Sequence, residues 1–183
     1  MGCYGDGGAL FTDNDEIADI MRSIRVHGKG SMKYDNIRIG LNSRLDTIQA
    51  AILSVKLKAF SQYEVSDVNK VASKYSEFLK DIVKIPFVPD GFCSSWAQYT
   101  IQLPDETTRN ELQKKLKEKG IPTMVYYPKP MHRQEAFGLS EDYEYDCKVT
   151  ERLCETVLSL PMHPYLTDDD IQKVAEEIKA FFK

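Results

Sequence analysis

The sequence predicts a mixed α/β chain that closes in a compact α+β domain, and three patterns carry that expectation. Leu45, Ile48, Ile52, Val55 and Ala59, then Val68, Val71, Tyr75, Phe78 and Ile82, recur at three- and four-residue steps, the mark of an apolar helix face. Residues 96–103 alternate and carry aromatic side chains, as a half-buried strand does. A last helix opens on Thr167-Asp168-Asp169-Asp170 and places Ile171, Val174, Ala175, Ile178 and Phe181 on one side.

Taken in order, Gly5-Asp6-Gly7-Gly8 marks a tight turn, and residues 7–12 read as a short strand leading away from it. Thr12 or Asp13 can cap a helix whose acidic first turn suits the helix dipole. That helix turns Ile17, Ile20, Met21 and Ile24 inward and ends near His27-Gly28. Residues 29–41, glycine-bearing and of mixed polarity, predict a mobile loop. Asn42 or Ser43 can cap the next helix, and the second periodic run can join it into one helical stretch of about forty residues. That length suits a bridge between parts of a larger protein.

Beyond Pro86 and the Pro89-Asp90-Gly91 turn the elements shorten. A helix over 107–119 stops at Gly120, and Pro122 bars its continuation. Residues 122–127 predict a second strand ended by Pro128-Lys129-Pro130, and 146–160 a helix. The expected organisation is therefore 1–41, with its loop, as the remnant of a larger domain, 42–83 as a connecting helix or helix pair, and 84–183 as an α+β domain.

Bulk properties exclude several classes. With 24 basic and 28 acidic residues the net charge is −4, and no Lys/Arg cluster suits nucleic acid. The densest basic run, Lys114 to Lys119, falls on a helix with Leu112 and Leu116 inward and reads as a solvated face. No apolar stretch approaches the about 20 residues of a membrane-spanning helix, and the start lacks a signal-peptide pattern. The expectation is a cytoplasmic protein without nucleic-acid or membrane partners. Cys3, Cys93, Cys147 and Cys154 form no Cys-x-x-Cys pair, and with His27, His132 and His163 they lack zinc-ligand spacing. Reduced thiols used for packing are expected, and no metal.

Three strings carry chemistry. Gly40-Leu41-Asn42-Ser43-Arg44-Leu45-Asp46-Thr47 gathers an amide, a hydroxyl and a guanidinium at an expected helix start, a setting that favours a phosphate or carboxylate. The plain alternative is that Asn42 caps the helix and Arg44 pairs with a surface acid. In Pro161-Met162-His163-Pro164-Tyr165-Leu166 a histidine sits in a proline-stiffened loop, either aimed at a ligand or without a task. Tyr126-Tyr127-Pro128-Lys129-Pro130-Met131-His132-Arg133-Gln134 places aromatic residues before a rigid Pro-x-Pro, where packing alone could explain them.

Together with the opening Gly2-Cys3-Tyr4-Gly5-Asp6-Gly7-Gly8, these strings resemble the DegT/DnrJ/StrS family of pyridoxal-phosphate sugar aminotransferases, and the resemblance runs in order through essentially the whole chain. It implies a fold-type I aminotransferase-like architecture: the end of a large α/β cofactor domain followed by the α+β C-terminal domain. In that family a Lys-Pro-Leu type tripeptide leads into the glycine turn, and Met1 stands where its third residue would be. The cofactor-bearing lysine is thus expected two residues upstream, with no catalytic residue in this chain, which alone would be inactive and would not retain pyridoxal 5′-phosphate. Asn42 is expected to reach the cofactor phosphate of the neighbouring subunit, which requires a homodimer with shared active sites.

The chain most resembles the branch acting on 3-oxo uronic acid sugar nucleotides. There Arg44 and His163 would face the substrate carboxylate, with Tyr165 and Tyr127 as further substrate neighbours. Tyr126 departs from the family pattern, in which histidine is common. The implied reaction moves an amino group from L-glutamate to a keto sugar nucleotide for surface polysaccharide, including lipopolysaccharide, assembly. Two alternatives stay open: a non-catalytic interaction module, and an enzyme for a 4-keto or neutral 3-keto sugar.

Overall fold

A computed structural model describes Gly2, residues 4–137 and residues 146–183. Met1 and Cys3 of the opening string lie outside the described residues. The chain divides into two units, Met1–Gln62 and Tyr63–Lys183. The second unit takes in part of the long helical stretch, because the helix that follows Tyr63 supplies core residues Val71, Tyr75 and Leu79.

In the first unit, α1 (Asp15–Ile24) is capped by Asn14, whose side chain accepts from the Ile17 N–H at 3.0 Å. Asn14 takes this role from Thr12 and Asp13 because it alone sits three residues before that free N–H. The strand expected over 7–12 does not form. The backbone there pairs with no other segment among the described residues, and Phe11 is 92% exposed. The glycine turn is tied down instead by Gln49, which brackets Tyr4 by accepting from its N–H at 3.0 Å and donating to its carbonyl.

Residues 29–41 are laced by backbone hydrogen bonds. Lys29 and Asn36 form an antiparallel bridge, Gly30 N donates to Asp35 O at 2.7 Å, and Ile37 N donates to Gly28 O at 2.9 Å. The return strand crosses the end of α1 so closely that two glycines are obligatory. A Cβ on Gly28 (φ +73°) would lie 1.8 Å from Arg38 O, and one on Gly40 would lie 2.0 Å from Gly28 N.

The helix expected from Asn42 starts later. α2 (Thr47–Ala59) is capped by Asp46, whose side chain accepts from Ile48 N at 2.9 Å. Asn42 and Ser43 are unavailable for capping because they lie in the antiparallel crossing with α1, where Asn42 bridges Val26. Helical structure then runs unbroken through a π turn (Phe60–Glu64) into α3 (Val65–Leu79).

The second unit is a helical layer on a small antiparallel sheet, one of the ways two amphipathic elements share a core. β1 (Tyr99–Gln102) pairs with β2 (Val157–Leu160) in the register Tyr99↔Leu160 to Gln102↔Val157. Single bridges extend the sheet on both sides, Lys84↔Gln102 and Met124↔Ser159. Around it pack α3, α4 (Glu106–Glu118), α5 (Lys148–Thr156) and α6 (Asp168–Phe181). Tyr75, Leu79, Tyr99, Ile101, Leu112, Leu116, Leu158, Ile171 and Ile178 are fully enclosed. Each such aliphatic side chain contributes about 1.5–3 kcal/mol on burial.

Two expectations fail here. The strand assigned to 122–127 contributes only the Met124 bridge. The pairing strand is instead 157–160, expected as the tail of a helix. Buried Arg109 explains the break: its guanidinium donates to the carbonyls of Cys154 at 3.2 Å and Val157 at 3.5 Å, capturing the last turn of α5 where β2 begins.

Candidate functional site

In the first unit, residues 41–43 run antiparallel to the residues ending α1. Leu41 N donates to Ile24 O, His27 N to Leu41 O, and Ser43 N to Arg25 O, all at 2.8–3.0 Å. This clamp presents Asn42 and Arg44 at the surface, and Arg44 Nε donates to Asn42 Oδ1 at 3.0 Å. The expected helix-dipole contribution at Asn42 is absent, since α2 starts after Asp46 and that carboxylate already occupies its N-terminus. What remains is a side-chain donor set. The Asn42 oxygen is engaged by Arg44, so the amide N–H pair and the outer guanidinium N–H groups are what the pair offers an anion.

In the second unit, residues 161–166 form a pinned loop between β2 and α6. Tyr75, fully buried, donates its hydroxyl to Pro161 O at 3.1 Å, and burial with the nearby Asp170 charge pushes its phenol well above the ordinary tyrosine range. At the far end Thr167 and Asp170 form a reciprocal capping box that starts α6. Hydrogen bonds from the Thr167 hydroxyl and N–H hold the Asp170 carboxyl below its usual range.

Between these anchors, Tyr165 N donates to His163 Nδ1 at 3.2 Å, and the two rings lie 6.4 Å apart. An Nδ1 that accepts carries no proton, so neutral His163 bears its proton on Nε2 and presents a donor outward. The Tyr165 hydroxyl donates to Glu64 Oε1 at 2.5 Å, and this bond, with Tyr63 close by, raises its phenol above the ordinary range.

Tyr127 stands at the surface with φ +65°, and its ring centroid is 6.5 Å from that of Tyr126. A non-glycine residue in this left-handed region is uncommon and concentrates at sites where a side chain must be aimed. Farther along the chain, Glu151 of α5 gathers the short helical turn Met131–Arg133. Its Oε1 lies 3.1 Å from His132 Nε2 and 3.1 Å from Arg133 Nε. The His132 bond, then that of Arg133, holds the Glu151 carboxyl below its ordinary range.

Within each unit, then, the structure brings together Asn42 with Arg44 and His163 with Tyr165. Sequence reasoning missed Glu64 and Glu151. Nothing local marks either; Glu64 is one of many polar residues in a long helix, and its partner is 101 residues away.

A model of the DegT/DnrJ/EryC1/StrS aminotransferase family matches residues 1–179. The chain belongs to this family. It is 43% identical over 173 residues to the UDP-2-acetamido-2-deoxy-3-oxo-D-glucuronate aminotransferase of Pseudomonas aeruginosa, covering 94% of this chain and 46% of that protein. It is 42% identical over 187 residues to the pleiotropic regulatory protein of Geobacillus stearothermophilus, covering 100% of this chain and 49% of that protein. The crystal structure of a DegT/DnrJ/EryC1/StrS aminotransferase from Brucella abortus superposes with a TM-score of 0.90 at 48% identity, over 99% of this chain and 48% of that one. The chain spans about half the length of the curated relatives it matches. The family fold is thus the fold found here, and aminotransferases of the family depend on pyridoxal phosphate. Among the described residues no helix is long and apolar enough to cross a membrane.

Proposed function

We propose that this chain serves in a pyridoxal-phosphate enzyme that transfers an amino group from glutamate to a keto sugar nucleotide of the 3-oxo uronate type, for surface polysaccharide synthesis. The enzyme works in the cytoplasm as a homodimer with shared active sites. Residues 1–41 belong to its large cofactor domain, 42–83 connect, and 84–183 form its small domain. Residues 1–183 by themselves neither retain the cofactor nor turn over. The similarity to the Pseudomonas aeruginosa aminotransferase supports the substrate class.

The single observation that carries the uronate reading is the Tyr165 N–H to His163 Nδ1 bond, which leaves His163 offering Nε2–H to an anion. Arg44, whose Nε is engaged by Asn42, offers its two outer nitrogens, the fork that matches a carboxylate. Tyr127 and Tyr165 line the sugar.

Asn42 suits the cofactor phosphate of the neighbouring subunit. With its oxygen turned to Arg44, its amide N–H pair is the part left to donate, which is what a phosphate oxygen accepts. When bound, pyridoxal phosphate supplies the electron sink that lets the amino group leave one carbon and join another. The chain's own residues orient the sugar nucleotide and hold its negative charges.

The test is Arg44→Met in the full-length enzyme, assayed with a 3-oxo uronate sugar nucleotide and with a neutral keto sugar nucleotide. A loss of about 100-fold in kcat/KM confined to the uronate, the order expected for an unpaired buried carboxylate, supports the carboxylate role. Equal kinetics on both would replace it with the neutral-sugar reading. A non-catalytic role is the second reading, favoured by the similarity to the regulatory protein of Geobacillus stearothermophilus. Absence of any transamination by the full-length protein would select it.

A further inference from the structure

The π turn Phe60–Glu64 inserts one residue into the helical stretch, and such insertions re-aim side chains and cluster at functional sites. Here it delivers Glu64 to the loop that carries His163. The contact is specific: Tyr165 O–H donates to Glu64 Oε1 at 2.5 Å, in the short range of bonds to an ionised acceptor. Tyr165 is otherwise 63% exposed, so its ring stands where a ligand can reach it.

A phenol has one proton to give and lone pairs to accept with. We propose that Glu64 is a positioning residue: by accepting the Tyr165 proton it turns Tyr165 into an acceptor for a hydroxyl or amide N–H of the sugar nucleotide, while the Tyr165 backbone N–H commits His163 to donate. This assignment rests on the sugar-nucleotide reading above. Two neighbouring side chains of one loop thus take opposite polarity. The Glu64 charge also makes the Tyr165 side of the loop unfavourable for a carboxylate, which directs that group toward the His163 donor. Tyr63, beside the same phenol, and His163, with its ring 6.4 Å away, are the other titratable groups facing Tyr165.

The experiment uses the full-length protein with tyrosine labelled at Cζ, the Tyr165 resonance being assigned by its loss in Tyr165→Phe. In the wild type Tyr165 ionises above the ordinary tyrosine range, and Glu64→Ala brings its midpoint down. In kinetics, Glu64→Ala and Tyr165→Phe each raise KM for the sugar nucleotide about tenfold with kcat little changed, and the double variant is no worse than either single one. Glu64→Gln, which keeps an accepting oxygen, recovers most of the loss in KM. A Tyr165 titration unmoved by Glu64→Ala, or KM effects that multiply in the double variant, would overturn the proposal. A wild type that turns over no keto sugar nucleotide fails the functional reading instead, and the titration then decides the Glu64–Tyr165 contact by itself.

Discussion

Arg109 of α4 donates through Nη1 to the carbonyl of Cys154, 3.2 Å away, and with only 4% of its surface exposed it closes the end of α5 from inside the protein. The same guanidinium reaches Val157 O, Asn110 Oδ1 and Glu106 Oε1, so one buried cation satisfies carbonyls that the helix terminus leaves open. Where α5 ends is therefore set from α4, a neighbour in space.

Replacing Arg109 by Met keeps much of the side-chain volume and removes every donor. Unfolding in urea should report a loss of about 2–3 kcal/mol, the range for hydrogen bonds to a charged group. Arg109→Lys should recover only part, since an ammonium cannot span the same set of acceptors.

The close backbone crossing at the end of α1 makes a sharper contrast. Gly40→Ala should prevent the first unit from forming its native hydrogen bonds, seen as loss of soluble protein or of near-ultraviolet circular dichroism. Gly91→Ala is the control: Gly91 has positive φ (+82°), but nothing lies within 4 Å of a Cβ there. It should cost about 1 kcal/mol from backbone strain alone.

Acid should loosen the turn Met131–Arg133. The Glu151 carboxyl is held below its ordinary range in the folded state, first by His132 and then by Arg133. Its stabilisation is thus fully present above the unfolded-state value and disappears as pH falls through the folded one. Hydrogen exchange of residues 131–134 should accelerate across that acidic window in the wild type. In Glu151→Gln exchange should be faster at neutral pH and lose most of this pH dependence.

Thr167→Ala removes one half of the capping box on α6. A loss of about 1 kcal/mol is expected in denaturant titrations. The acid sensitivity contributed by Asp170, whose depressed carboxyl pKa depends first on the Thr167 hydroxyl, should shrink with it. An unchanged acid limb would show that Asp170 is held by other groups.

Periodicity located α1, α4 and α6 well, because each carries an apolar face, and α4 and α6 bury theirs in the core. It misplaced what depends on distant partners. Residues 157–160 are apolar enough to extend a helix, and only the remote Arg109 and Tyr99–Gln102 make them a strand. Residues 122–127 have strand-like composition but find a single bridging position. At the candidate site, the loop that holds His163 and Tyr165 is legible because Pro161 and Pro164 flag it. Glu64 is silent in sequence, since its meaning comes from a π turn that no local pattern announces.

The anchoring of Leu41 and Ser43 to Ile24 and Arg25 indexes Asn42 and Arg44 to the last turn of α1. Changes of length at the tip of the 29–36 hairpin leave that index untouched. Deleting one residue from the last turn of α1 would swing the anchor points by about 100°. The hairpin tip of this chain is thus expected to tolerate changes of length and composition, whereas the count of residues between Asn14 and Val26 is not.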